Sequence, residues 1–350
     1  MNYRNVAAGG GGTHGDLFHD VISLENLFAA WQEFKRGKTS KIEVQNFEFN
    51  LEDNIFQLHE NLEQGRWKPD PYKIFYIRDP KLRCIHKASV RDRVFNHALF
   101  RKLYPIFDPT FIHDSYSCRV GKGTHRGVLR LENFTKKLSK NYTRPAYALK
   151  CDIKKFFDNI SHEIMEKLIE KKIQDDGVLK ILRNVIESFE TKPGFGLPLG
   201  NVTSQLFANV YLNELDQCVK HKLKAEYYLR YCDDFIVLSR DKNYLEKAVR
   251  EIDLFINSNL KLSLHPNKIT IRKISQGVDF LGYVVLPYYR VLRTGTKKRM
   301  FKKLKFIKRE LDNKILSKES FDRRRDSYLG TLTHCRGYNI KNKLEKELGI

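Results

Sequence analysis

The chain has 350 residues, and its 64 lysines and arginines against 42 aspartates and glutamates leave a formal net charge of +22. That length calls for two or three packed subdomains, and that charge favours a polyanionic partner, through counterion release along a phosphate backbone, over a membrane surface. No apolar run is long enough to span a bilayer, no basic-then-apolar leader opens the chain, and the six cysteines form no C-x-x-C pair; a cytoplasmic protein with no membrane partner, no disulfide framework and no zinc site is expected. Residues 1–20, with the glycine run Gly9 to Gly12, read as a flexible leader. Helical spacing follows in Leu24, Leu27, Phe28, Trp31 and Phe34 and again in Ile55, Leu58 and Leu62, closed by Pro69 and Pro71. Such stripes are core rather than cofactor groove. Tyr72 to Arg83 turns strand-like and basic, and Arg91 to Tyr104 returns to helical spacing.

Tyr147 to Ile153 reads as a strand, and Ser161 to Lys172 and Val178 to Phe189 as helices. Gly194, Gly196, Pro198 and Gly200 punctuate a tight loop before an apolar helix from Gln205 to Leu215. Two strands, Tyr227 to Cys232 and Phe235 to Leu238, then meet at Asp233 and Asp234. A helix spans Tyr244 to Asn257, strand signals recur at Lys268 to Arg272 and Val278 to Val285, and the segment from Lys297 on is helical and rich in lysine and arginine.

The acidic pair at the hairpin asks for an explanation. Acidic turns are commonly just solvated. Asp152, however, ends the strand that begins at Tyr147, and if that strand lies beside the hairpin three carboxylates share one edge. Two unit charges about 5 Å apart repel by roughly 3 kcal/mol at an effective dielectric near 20, so such a cluster wants a counter-cation. Two magnesium ions, with manganese as a substitute, are the usual relief where phosphodiesters are made or cut. The plainer alternative for Asp152 is a cap on the following helix. Gly121-Lys122-Gly123 lacks the spacing of a phosphate-binding P-loop, and no H-E-x-x-H pattern supports a zinc hydrolase.

In Asp152 with Phe157, in Leu197-Pro-Leu-Gly-Asn-Val-Thr-Ser-Gln205 and in Tyr231-Cys-Asp-Asp234, the chain resembles the reverse transcriptases, in order as well as in kind. Pro266-Asn-Lys268 resembles the basic motif after the hairpin, and Phe280-Leu281-Gly282-Tyr283 the primer grip. The resemblance implies an α+β right-hand polymerase: helices and fingers over 21–145, a palm with an antiparallel sheet over 146–284, and a basic helical thumb over 285–350. It also implies template RNA, a primer or RNA–cDNA duplex and deoxynucleoside triphosphates as partners. Asp152, Asp233, Asp234 and the Ile153 carbonyl are then the expected metal ligands, and Lys268 an acid for the leaving pyrophosphate. Phe157 is the ring that excludes a ribose 2′-hydroxyl. Arg83, or failing it Lys81, grips the triphosphate, a guanidinium being suited to two phosphate oxygens at once.

Leu199 before Gly200, and Gln205 after Ser204, depart from the Pro-Gln-Gly and Ser-Pro of most bacterial members. With Asp114 to His125 they resemble the diversity-generating retroelement branch, whose enzymes err opposite template adenine and work with a small basic multimeric accessory protein. Leu199, Gly200 and Gln205 are therefore expected at the nucleotide, and Arg119, Lys122, His125 and Arg126 on template phosphate, against the simpler reading of a turn. A retron, intron-type or phage-defence reverse transcriptase, and an idle RNA-binding module of polymerase shape, are the alternatives.

Overall fold

The computed structural model of the protein describes residues 17–78 and 82–348. It opens with four helices: α1 (Leu17–Ile22), α2 (Leu24–Lys35), α3 (Ile42–Phe49) and α4 (Leu51–Glu63). The expected stripes on α2 and α4 bury Leu27, Trp31, Phe34, Ile55, Leu58 and Leu62. The Ser23 hydroxyl accepts the Asn26 N–H and satisfies one of the donors that every helix start leaves free. α1 begins inside the stretch expected to be a leader and buries Val21 and Ile22, so that expectation fails from Leu17 on; Gly9 to Gly12 lie outside the described residues.

An antiparallel hairpin follows, β1 (Lys73–Arg78) with β2 (Leu82–Lys87), so the basic strand-like stretch is two strands rather than one. The chain then runs through α5 (Val90–Phe107), α6 (Thr124–Leu138), β3 (Tyr147–Asp152), α7 (His162–Glu170), α8 (Asp176–Glu187) and α9 (Val202–Gln217). Next come β4 (Tyr227–Tyr231), β5 (Asp234–Ser239), α10 (Lys242–Leu260) and β6 (Thr270–Lys273). It closes with β7 (Val278–Phe280), β8 (Tyr283–Leu286), β9 (Tyr289–Leu292), α11 (Thr294–Asp312), α12 (Lys318–Leu332) and α13 (Tyr338–Leu348). α6 was not anticipated; Val128, Leu131 and Phe134 on it are buried at helical spacing behind a polar start.

Strands β4-β5-β3-β6 form one antiparallel sheet, and its two faces look onto different cores. Because side chains alternate along a strand, Leu149, Cys151, Tyr228, Phe235 and Val237 face the core built with α9 and α10. Ala148, Leu229, Ile236 and Leu238 face the opposite core, shared with α6, the β7-β8-β9 sheet and α11 to α13. Each fully buried aromatic or aliphatic side chain here is worth about 1.5–3 kcal/mol of transfer free energy, so both faces hold the sheet.

The fold is thus the expected α+β class with an antiparallel central sheet. Two expectations within it need correction. Val278 to Val285 is a hairpin, not a strand: Leu281 and Gly282 take positive φ of 49° and 90° and reverse the chain, with Phe280 paired to Tyr283. A boundary at 285 would cut β8 and detach β9, whose register runs from Tyr283↔Leu292 to Leu286↔Tyr289.

Candidate active site

β3 ends on Asp152 and β5 begins on Asp234, and the sheet register sets the two directly opposite each other. Directly opposed residues have Cβ atoms about 5 Å apart. Cys232 and Asp233 make the turn between β4 and β5, so only one of the two adjacent acids is a turn residue; Asp234 already belongs to the strand. Cys232 sits at φ 54°, a left-handed position that a residue with a Cβ adopts only under constraint. The Ile153 N–H donates to the Asp233 carbonyl at 3.1 Å, and the Asp152 carbonyl accepts from the His265 N–H at 2.8 Å, pinning the β3 end between the hairpin and the segment before β6. The backbone thus brings the Asp152–Ile153 end of β3 beside Asp233 and Asp234.

Two lysines lie against these acids. The Lys268 ammonium is 2.6 Å from Asp152 Oδ1, and the Lys150 ammonium 3.3 Å from Asp234 Oδ2. Lys150 also donates to the Asp279 carbonyl at 3.0 Å, and the Asp279 carboxylate pairs with Arg293. Burial pushes the Asp234 carboxyl up to about 6 against the pull of Lys150. Burial, then the charge of Asp152, raises Asp233. Asp234 Oδ1 is buried without a hydrogen-bond partner.

Among the described residues no three His, Cys, Asp or Glu side chains are gathered as an ion-holding group, as the expected metal ligands Asp152, Asp233 and Asp234 would be. Lysine ammoniums lie against Asp152 and Asp234 instead. The donor set still fits a hard divalent cation: the available ligands are oxygens, Asp233 and Asp234 are desolvated with too little compensating charge, and one buried oxygen has nothing to bind. A cleft of about 530 Å³ opens on this face, where Lys150, Lys268, Arg272 and Arg293 outnumber Asp152, Asp234 and Asp279. That balance suits phosphates.

The glycine-rich loop closes one side. The Phe157 carbonyl accepts the Leu197 N–H at 2.9 Å, and the Phe157 ring packs on Phe156 at 5.3 Å, half-buried. The Leu199 carbonyl accepts the His86 N–H of β2 at 3.4 Å, and Gly200, at φ 126°, lets the loop pass close to the His86 carbonyl. Gln205 is exposed in the first turn of α9. Arg83 is exposed on β2 opposite Ile77, with no side-chain partner among the described residues. Lys81 lies outside the described residues. The loop, Phe157 and the hairpin carrying Arg83 are thus linked through backbone hydrogen bonds.

The stretch expected on template phosphate divides. Arg119 is turned inward, bound to Asp108 Oδ1 at 2.7 Å and to the carbonyls of Asp108, Ile112 and Ser115, with its side chain 7% exposed. It holds the loop and has no face left for a phosphate. Lys122 donates to the His113 carbonyl at 2.7 Å, and His125 stacks on His334 at 3.6 Å, joining α6 to the C-terminal helices. Arg126 remains exposed. In the Phe280–Tyr283 hairpin, Phe280 and Tyr283 are buried, the Tyr283 hydroxyl donates to the Thr331 carbonyl at 3.1 Å, and Leu281 and Gly282 form the tip.

Sequence reasoning missed Lys150, Asp279, Arg293 and a buried pair, Arg230 with Asp216. A signal existed for the last: an arginine inside the strand Tyr227–Tyr231 and an aspartate inside an apolar helix each require a buried partner.

Comparison with known proteins bears on this geometry. The sequence model of the reverse transcriptase (RNA-dependent DNA polymerase) family matches residues 69–285. Protein YkfC of Escherichia coli K12 is 24% identical over 266 residues, covering 65% of this chain and 69% of that protein. The group II intron-encoded protein LtrA of Lactococcus lactis subsp. cremoris is 26% identical over 355 residues, covering 81% of this chain. The chain spans 56% of that relative's length. A solved telomerase structure from Candida albicans, in complex with a telomeric RNA fragment, covers 70% of this chain and 51% of its own at 14% identity and a TM-score of 0.49. Among the described residues no helix is long and apolar enough to cross a membrane.

Proposed function

The chain belongs to the reverse transcriptase (RNA-dependent DNA polymerase) family, and we propose that it copies a template RNA into DNA at the cleft face of the four-stranded sheet. The observation that carries this reading is the register pairing of Asp152 with Asp234 beside the Asp233 turn, with a desolvated carboxylate oxygen left without a partner. Asp152, Asp233 and Asp234, with the Ile153 carbonyl, would hold the divalent cations. Those cations, magnesium or in its place manganese, supply charge that acidifies the primer 3′-hydroxyl and stabilises the leaving pyrophosphate. Lys268, beside Asp152, is the proton donor to that pyrophosphate. Lys150 keeps Asp234 oriented toward the cleft. Phe157 sets a flat ring under the sugar and selects deoxynucleotides, Arg83 closes on the triphosphate, and Leu281 and Gly282 meet the primer. In this reading residues 146–292 form the palm with its primer-grip sheet, and the basic helices α11 to α13 form the thumb that grips the duplex through its phosphates.

Magnesium-dependent incorporation of deoxynucleotides on a primed RNA tests the assignment. Asp233→Asn is expected to lower the rate by roughly a thousandfold or more with the fold intact. Equal incorporation by both proteins would leave an RNA-binding module of polymerase shape.

The finer role we assign is that of a diversity-generating retroelement enzyme, working with a small basic accessory protein. Leu199 supports it: an apolar side chain beside the nascent pair checks hydrogen-bond geometry less strictly than a glutamine would. Leu199→Gln is expected to lower misincorporation opposite template adenine by roughly two- to tenfold; an unchanged error spectrum removes Leu199 from the account. A second reading, an intron-type enzyme, is favoured by the similarity to LtrA over 81% of the chain. Wild-type fidelity as high opposite adenine as opposite the other bases would select it.

A further inference from the structure

The turn that carries Asp233 holds Cys232 at φ 54°, with its side chain packed against the core. What lies beneath it, on the sheet face away from the cleft, is Arg230, one of the largest fully buried side chains of the protein. A guanidinium has five N–H donors in a fixed planar fork. Here all are used. Nε donates to Asp216 Oδ1 at 2.8 Å and Nη2 to Asp216 Oδ2 at 2.6 Å, a bidentate pair with both side chains 0% exposed. The second Nη2 donor meets Ser115 Oγ at 3.2 Å. Nη1 divides between Asn209 Oδ1 at 3.3 Å and the Cys232 carbonyl at 3.2 Å.

Four separate pieces of chain therefore meet on one side chain: α9 through Asp216 and Asn209, the 114–117 segment through Ser115, β4 itself, and the catalytic turn through Cys232. The backbone repeats the connection, since the Arg230 N–H donates to the Asp114 carbonyl and the Tyr116 N–H to the Arg230 carbonyl. Tyr228, two residues earlier on the same face, donates its hydroxyl to Asp216 Oδ1 at 2.7 Å. The carboxylate is thereby fixed before it fixes the arginine.

We infer that Arg230, oriented by Asp216, is a positioning residue for the polymerase reaction: its bond to the Cys232 carbonyl sets the conformation of the turn and hence where Asp233 presents its carboxylate. The inference rests on the polymerase reading. Arg230 touches neither substrate nor cation; it acts through the turn. Asp216 supplies the opposite charge, and Asn209 and Ser115 keep the fork from rotating. An alternative is that the pair merely fills and neutralises the interior, and in that case apolar side chains of like volume would serve as well, as buried ion pairs elsewhere often allow.

The experiment separates these. The double variant Arg230→Met/Asp216→Leu removes both charges and leaves no orphaned ion, and Arg230→Lys keeps the charge but has only three donors for five acceptors. In the full-length protein, primer extension is measured with kcat and KM for the incoming nucleotide alongside the thermal midpoint. Expected is a folded double variant with a midpoint near wild type and kcat at least about thirtyfold lower, with KM within about threefold. Arg230→Lys should lose kcat in the same way. Wild-type kcat in either folded variant overturns the inference. Failure of both to fold overturns it too, because the pair would then hold the domain rather than the turn. Wild-type protein that extends no primer would instead sink the polymerase reading.

Discussion

The two faces of the β4-β5-β3-β6 sheet treat buried charge in opposite ways. On the helix side, Asp216 is fully enclosed and matched by Arg230 and Tyr228, with every polar atom of the arginine fork answered. On the cleft side, Asp234 is desolvated and pushed up to about 6, its partner Lys150 is shared with Asp279, and one of its oxygens has no partner. One sheet separates a carboxylate whose charge is matched from one whose charge is incompletely compensated.

Removing a charge should therefore have opposite signs on the two faces. Asp216→Asn leaves the Arg230 guanidinium buried and unpaired, at a cost of about 3–5 kcal/mol, and the thermal midpoint should fall by roughly 4–7 °C. A midpoint within a degree of wild type would break the contrast. Asp234→Asn removes a carboxylate that folding disfavours, so the cation-free protein should become more stable. The direction in pH follows from linkage: the folded carboxyl titrates near 6 and the unfolded one near 3.8, so the folded state binds the extra proton between those values. The penalty is absent below about pH 4, grows as pH rises through 6, and is complete above about 7, where it is on the order of 3 kcal/mol. Asp234→Asn should raise the midpoint by roughly 3–6 °C at pH 8 in chelator, with no gain at pH 4. A variant less stable than wild type at pH 8 would mean that the Lys150 contact outweighs burial.

A smaller effect sharpens the cleft side. Phe157→Ala opens space beside the Leu197–Gln205 loop, and the preference for deoxynucleotides over ribonucleotides should drop by roughly ten- to a hundredfold in ratios of kcat/KM. An unaltered ratio would make Phe157 an ordinary packing aromatic, consistent with its contact to Phe156.

What the sequence disclosed and what it hid follow the same division. Asp152, Asp233 and Asp234 were legible because acids inside strand-forming runs violate the local pattern, and α2, α4 and α9 because their apolar spacing is strong. The reversal at Leu281 and Gly282 was hidden: a two-residue turn within an apolar run interrupts no periodicity, and a leucine at positive φ announces nothing. α6 was hidden by its polar beginning, Thr124 to Arg126. Arg119 misled because a basic residue in a glycine-rich segment looks like a phosphate ligand, whereas its acceptors, Asp108 and three carbonyls, become neighbours only on folding. Lys150 gave no sign for the same reason. Its partners Asp234 and Asp279 are brought to it by the sheet register and by the β7–β8 hairpin, neither of which a local pattern encodes.

The account stands on the cleft carboxylates acting together on divalent cations. Crystals of the protein with primed RNA, an incoming deoxynucleotide and manganese, measured for anomalous scattering, examine this without recourse to activity. Manganese peaks within about 2.5 Å of carboxylate oxygens of Asp152 and Asp233, with Lys268 displaced from its present contact to Asp152, are the predicted result. Manganese bound only to the triphosphate, with Lys268 still on Asp152, would contradict it.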